Sequence, residues 1–169
     1  VWRMGESIVF RDHMHCINDK YSFDTFLEER ISKGPLAIIE CFEEIPCDPC
    51  RNSCFKNAIS FDKSITSIPK LDIEKCSGCG ICVAKCPGMA IFIADGSYSD
   101  DEGLVSLPYE FLPLPNKGQA VKATDRYGRV LCNGEIYKVK TSSNFDCTAV
   151  VTIKIPKEFI MEARDFILI

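Results

Sequence analysis

The stretch KCSGCGICVAKCP, residues 75–87, sets Cys76, Cys79, Cys82 and Cys86 in the spacing C-x2-C-x2-C-x3-C-P. Part of that pattern is written a second time upstream. When PCDPCRNSCFKNAI (46–59) is laid over GCGICVAKCPGMAI (78–91), Cys47, Cys50 and Cys54 fall on Cys79, Cys82 and Cys86 at an offset of 32 residues. Ala58 and Ile59 fall on Ala90 and Ile91 at the same offset, so the chain contains an internal duplication.

The rest of the chain bounds what this duplication can be. With 169 residues and 46% hydrophobic content, the sequence can bury one ordinary core or two small ones. No apolar run is long enough to span a bilayer, and the first residues lack the basic start, apolar stretch and small-residue site of a secretory leader. The expected location is the cytoplasm, with no membrane partner. A formal charge of −4 without a Lys/Arg cluster provides no electrostatic footprint for nucleic acid.

Eleven cysteines are an odd count, and a reducing compartment does not sustain disulfides. Eight of them lie between Cys41 and Cys86, leaving only Cys16, Cys132 and Cys147 outside. Bound metal accounts for such clustering. The run from Cys76 to Pro87 has the spacing of bacterial iron-sulfur ligation: three thiolates wrap one cuboidal cluster, while the fourth is carried away to the other cluster of a pair. Gly78 and Gly80 allow the positive φ and close backbone approach that the wrap requires. A structural zinc site is the competing reading, but zinc usually takes two C-x2-C pairs roughly 15 to 20 residues apart.

On these motifs, residues 41–93 resemble a two-cluster bacterial-type ferredoxin domain. The resemblance implies two [4Fe-4S] clusters, one held by Cys76, Cys79, Cys82 and Cys54, the other by Cys47, Cys50, Cys86 and one more. The sequence departs from the family there, because Glu44 stands where the first cysteine of the upstream motif is expected. Cys41 is the candidate for that position, returned by a loop three residues longer at a loop-entropy cost of roughly 1 kcal/mol or less. The alternative is a buried apolar cysteine beside Ile39 and Phe42, with a three-iron cluster or a non-cysteine ligand. Phe55 also replaces the proline expected after Cys54.

The expected fold class is α+β: a ferredoxin-like domain for two [4Fe-4S] clusters, a short N-terminal helix, and a small C-terminal β-rich module closed by a helix. The divisions are an N-terminal extension over 1–35, the cluster domain over 36–96, a linker over 97–117 and the β-rich module over 118–169. Phe23, Phe26, Leu27 and Ile31 fall on one helical face, with Ser22 as N-cap and Gly34-Pro35 as the stop. His13, His15 and Cys16 show no fourth metal ligand and read as a polar loop, while the apolar run Ile8-Val9-Phe10 has no assignable role. Between the motifs, strand, turn and strand are expected, with Ile65 and Ile68 packing toward the clusters. Ile73, Ile81, Val83, Ile91 and Ile93 read as core.

SLPYEFLPLPNKG (106–118) reads as a Pro-punctuated linker whose Tyr109 and Phe111 cover their own domain. Beyond it, strands are expected around a turn at 125–129, with Asn133-Gly134 as a hairpin signal. A helix from Pro156 would bury Phe159, Ile160, Ala163, Phe166 and Ile167. Cys132 and Cys147 read as buried structural thiols.

No G-x-G-x-x-G, P-loop or Ser/His/Asp constellation is present in a recognisable context, so the chain is not expected to be an enzyme by itself. Electron transfer is the function that remains. IECFEEIPCDPCRNSC, CPGMAIF, PYEFLPLPNKGQAVKATDRYGRV and VVTIKIPKEFIMEAR together resemble the small iron-sulfur subunits of flavin-dependent amino-acid dehydrogenase complexes of the proline/hydroxyproline kind. That resemblance implies a hetero-oligomer in which FAD sits on partner dehydrogenase subunits and not on this chain, with a further iron-sulfur subunit as a second candidate partner. A free-standing, diffusible two-cluster ferredoxin is the alternative, and a structural or regulatory cluster protein the third reading.

Overall fold

The computed structural model describes residues 23–42 and 44–169, with side chains from Leu27 onward. Ile8, Val9, Phe10, His13, His15, Cys16, Ser22 and the side chains of Phe23 and Phe26 lie outside the described residues. Helix α1 (Phe23–Ser32) ends before Gly34-Pro35 and buries Leu27 and Ile31, the described part of its expected face.

Among the described residues, nine strands form one seven-stranded antiparallel sheet and one two-stranded ribbon. The strands are β1 (Leu36–Ile39), β2 (Ile59–Ser60), β3 (Lys70–Leu71), β4 (Ile91–Asp95), β5 (Glu102–Tyr109), β6 (Ala120–Thr124), β7 (Val130–Lys140), β8 (Ala149–Pro156) and β9 (Asp165–Leu168). The sheet order is β1-β4-β5-β8-β7-β6-β9, and β2-β3 form the ribbon between the two cysteine motifs. β1 is the continuous apolar run LAII and is buried on both faces, whereas β5 alternates and turns Val105, Leu107 and Tyr109 inward. Val151, Ile153 and Ile155 of β8 are fully buried at the centre, each contributing roughly 2 kcal/mol. Ile73, Val83, Ile91 and Ile93 lie in the core and Ile81 packs against it, as expected.

The sheet runs through the expected linker. Residues 102–109 are β5, hydrogen-bonded to β4 on one side and to the whole of β8 on the other. Pro108 is tolerated because the pairing with β4 ends at Ile93↔Ser106, so its missing N–H faces no partner strand on that side. Tyr109 is buried and stacked on Phe166, while Phe111 touches only the edge of Tyr109 and is 70% exposed.

Two further expectations change in the C-terminal part. The β6–β7 turn is at Asp125–Arg129, and Asn133-Gly134 lies inside β7, paired with Lys122 and Val121. Glycine is required there by close approach: a Cβ on Gly134 would sit 2.6 Å from both Ile155 Cγ2 and the Lys154 carbonyl oxygen. The closing helix is a 3-10 turn, Lys157–Phe159, after which the chain extends as β9 against β6. Ile160, Ala163 and Phe166 are buried as a helical face would bury them, but Ile167 points outward with strand alternation and is 52% exposed. No described helix is long and apolar enough to cross a membrane.

Candidate iron-sulfur centre

Two short helices, α2 (Pro49–Asn52) and α3 (Ile81–Lys85), carry the middle of each cysteine motif, and both bury their central cysteine, Cys50 and Cys82. Pro49 opens α2 at a position where its missing N–H is not needed. Gly80 precedes α3 with a left-handed φ of 80°. Gly78, at φ 62°, is pressed against the chain leaving α1: a Cβ there would be 2.5 Å from Pro35 Cβ.

The duplication is repeated in three dimensions. Ala58 N–H donates to Cys54 Sγ at 3.3 Å, and Ala90 N–H donates to Cys86 Sγ at the same distance, two alanines related by the repeat. Ala37 N–H from β1 donates to Cys76 Sγ at 3.5 Å. Amide donors aimed at sulfur are what cluster-bound thiolates need once they carry negative charge.

Burial and neighbouring thiols raise three of the motif cysteines. Burial, followed by the neighbouring Cys76, Cys79, Cys54 and Cys50, pushes the Cys82 thiol up to about 12. Burial and Cys86, with Cys47 and Cys41 adding to them, push Cys50 up to about 11 against a lowering backbone hydrogen bond at Arg51. Cys47 is raised by burial, Cys86 and Asp48. Cys41, Cys47, Cys50 and Cys86, the expected quartet two, line one cavity, and Cys76, Cys79 and Cys54, which with Cys82 make up the expected quartet one, lie near the Cys82 thiol. Cys50 also lies near Cys82, so the two sets are neighbours. All eight thiols are free of disulfides.

The donor set fits cuboidal clusters. A cubane takes four thiolates at separate corners. Quartet two opens into a largely apolar cavity lined by Ile39, Ile45, Phe61, Pro69 and Ile91 together with its four cysteines. Cys41 reaches this cavity by the longer loop, and Glu44, which occupies the position expected for cysteine, points to solvent. Of the two ribbon isoleucines, Ile68 packs on the core, whereas Ile65 is 42% exposed and supplies only its carbonyl, to Cys47 N–H.

The family described as 4Fe-4S dicluster domain matches residues 45–90. These residues form a ferredoxin-type domain for two [4Fe-4S] clusters. Similar proteins include the ferredoxin-type protein NapF of Escherichia coli K12, 38% identical over 52 residues, covering 30% of this chain and 32% of that protein. NapF of Haemophilus influenzae is 38% identical over 53 residues, 30% of each chain. A third is the aliphatic sulfonate oxidoreductase, polyferredoxin-like subunit, of Pyrococcus furiosus, 38% identical over 65 residues, 38% of this chain and 35% of that one. The chain thus spans about a third of the length of the curated relatives it matches. No solved structure matches.

Outside the quartets, Cys132 is partly buried, and burial with the Glu158 carboxylate pushes its thiol up to about 11. Cys147 is exposed, contrary to the expected burial, because it follows the left-handed residue Asp146 and has φ 75° itself at the turn before β8. Three polar side chains at the site have no spacing signal in the sequence. Arg30 donates to the carbonyls of Cys76, Ile73 and Gly34, Lys140 donates to the carbonyl of Cys79, and Glu40 pairs with Arg126 and Arg164 beside Cys41.

Proposed function

We propose that this chain is a ferredoxin-type electron-transfer protein in which Cys76, Cys79, Cys82 and Cys54 hold one [4Fe-4S] cluster and Cys41, Cys47, Cys50 and Cys86 the other. The observation that carries the reading is that Cys86 of the downstream motif lines one cavity with Cys41, Cys47 and Cys50 of the upstream one, while Cys54 lies near Cys82 in turn. The clusters, when bound, each accept and return one electron. The chain's own residues hold the thiols at fixed corners, shield them with Ile39, Phe61 and Ile91, and supply amide donors from Ala37, Ala58 and Ala90 to the sulfurs. In this reading the C-terminal strands, which share one sheet with β1, β4 and β5, serve as a surface for partner contact.

The likeness to ferredoxin-type proteins favours a carrier that acts on its own. A second reading is a wiring subunit for FAD-containing subunits of an amino-acid or related dehydrogenase, in the cytoplasm. It draws on the likeness to an oxidoreductase subunit and on exposed Phe42, Ile45, Phe55 and Met89 around the cysteine motifs. Anaerobic purification through a tag on this chain, with iron, sulfide and flavin measured in the same species, separates them. About eight irons per chain in a flavin-free monomer supports the carrier. The same iron with stoichiometric flavin supports the subunit, and a chain without iron overturns both.

A further inference from the structure

The two quartets sit in different electrostatic surroundings. At quartet one, two cations contact the backbone of the ligand residues themselves. Arg30 Nη2 donates to the Cys76 carbonyl at 3.0 Å, and Lys140 Nζ donates to the Cys79 carbonyl at 3.1 Å. Both are partly buried. Among the described residues neither forms an ion pair, and the remaining neighbour of Lys140 is the Phe145 ring at 5.3 Å. The carboxylates on that side include Glu29, held by Lys33, Asp72, held by Lys75, and Glu74, which is exposed.

At quartet two the cations are matched by carboxylates. Arg51 beside Cys50 pairs with Asp48, Lys85 beside Cys86 pairs with Asp146, and Arg126 and Arg164 both pair with Glu40 beside Cys41. Glu44 adds an exposed negative charge in the loop between Cys41 and Cys47. Among the described residues named here, four cations face four carboxylates at quartet two, and four cations face three carboxylates at quartet one, where Arg30 and Lys140 lie against the ligand backbone.

Reduction adds negative charge to a cluster, so an unmatched cation a few ångströms away stabilises the reduced form, and more so where water is partly excluded. We propose that Arg30 and Lys140 tune the pair, making the cluster held by Cys76, Cys79, Cys82 and Cys54 the one of higher reduction potential. The inference rests on the electron-transfer reading above. These residues act through the ligand backbone and the local field, and so are positioning and tuning residues. In the chain reduced by one electron, that electron resides at the α1 and β7 side of the site.

The test is an anaerobic dithionite titration of the iron-loaded full chain, followed by electron paramagnetic resonance. The wild type should show two separate one-electron waves. Lys140→Gln should lower the higher wave and leave the lower one in place, while Lys140→Arg, which keeps the charge, should leave both in place. Lys33→Gln, on the exposed side of α1, serves as the control and should move neither. Should Lys140→Gln not load with iron, Arg30→Gln reads the same wave from the opposite side of quartet one. A Lys140→Gln chain with full iron whose higher wave is unmoved, or whose lower wave moves instead, overturns the tuning proposal alone. A wild-type chain without bound iron overturns the electron-transfer reading and the proposal with it.

Discussion

Glu40 and Arg164, 124 residues apart in the chain, meet in a two-pronged ion pair, with Nη2 to Oε1 at 2.7 Å and Nε to Oε2 at 3.0 Å. The guanidinium also lies 3.8 Å from the centre of the Phe92 ring, and Arg126 reaches the same carboxylate at 2.7 Å. Glu40 directly precedes Cys41, so the C-terminal end of the chain anchors the cysteine with the least regular spacing.

Arg164→Met should lower stability by about 3 kcal/mol, because it leaves a mostly buried carboxylate with Arg126 alone. Arg164→Lys should recover only part of that, since a lysine cannot supply the fork. Urea unfolding of the iron-loaded chain measures both. Equal stability of Arg164→Met and the wild type would remove Arg164 as the anchor.

Cys41→Ser should reduce iron from about eight to about four per chain, or to about seven if a three-iron cluster survives. Cys132→Ser should leave it unchanged. Iron and sulfide analysis of purified protein decides the matter, and a full complement in Cys41→Ser would assign the position to another ligand.

Gly78→Ala combines a left-handed φ of 62° with a Cβ 2.5 Å from Pro35 Cβ and 2.7 Å from its carbonyl oxygen. Loading of quartet one should fail, halving the iron. Gly134→Ala crowds Ile155 and Lys154 within the sheet and should instead lower stability by about 1–3 kcal/mol at full iron content. The two variants separate strain at the site from strain in the sheet.

Of the two described thiols outside the quartets, Cys147 should be alkylated first when the loaded chain is treated with iodoacetamide at pH 8, because it is exposed. With its thiol pushed up to about 11, Cys132 is thiolate in only about one molecule in a thousand at that pH and should react far more slowly. The same shift has a sign for stability. A thiol whose folded pKa lies above its unfolded value favours the folded state below about pH 9, and that contribution is lost as pH rises toward 11. Cys132→Ala should therefore flatten the fall in stability between pH 9 and 11, as read by urea unfolding at several pH values.

The cysteine spacing by itself determined the class of site, because cluster ligation demands particular residues at short separations along the chain. β1 and β5 are not among the strands expected from the sequence, because LAII is too short a run to assign by periodicity and Pro108, Pro113 and Pro115 give residues 106–118 the look of a linker. Only pairing between distant strands could reveal that the N-terminal part of this segment belongs to β5, and that Pro108 sits where no N–H is required. The same holds at the end of the chain. Ile160, Ala163 and Phe166 satisfy a helical period, yet the hydrogen bonds offered by β6 draw residues 165–168 into a strand. Asn133-Gly134 carries the local chemistry of a turn, but Gly134 is there because Ile155 and the Lys154 backbone come too close for a side chain. Local chemistry was legible where one short segment meets its own requirement. The grouping of thiols, the placing of Arg30 and Lys140 over quartet one, and the anchoring of Glu40 by Arg164 depend on which distant residues the tertiary fold brings together.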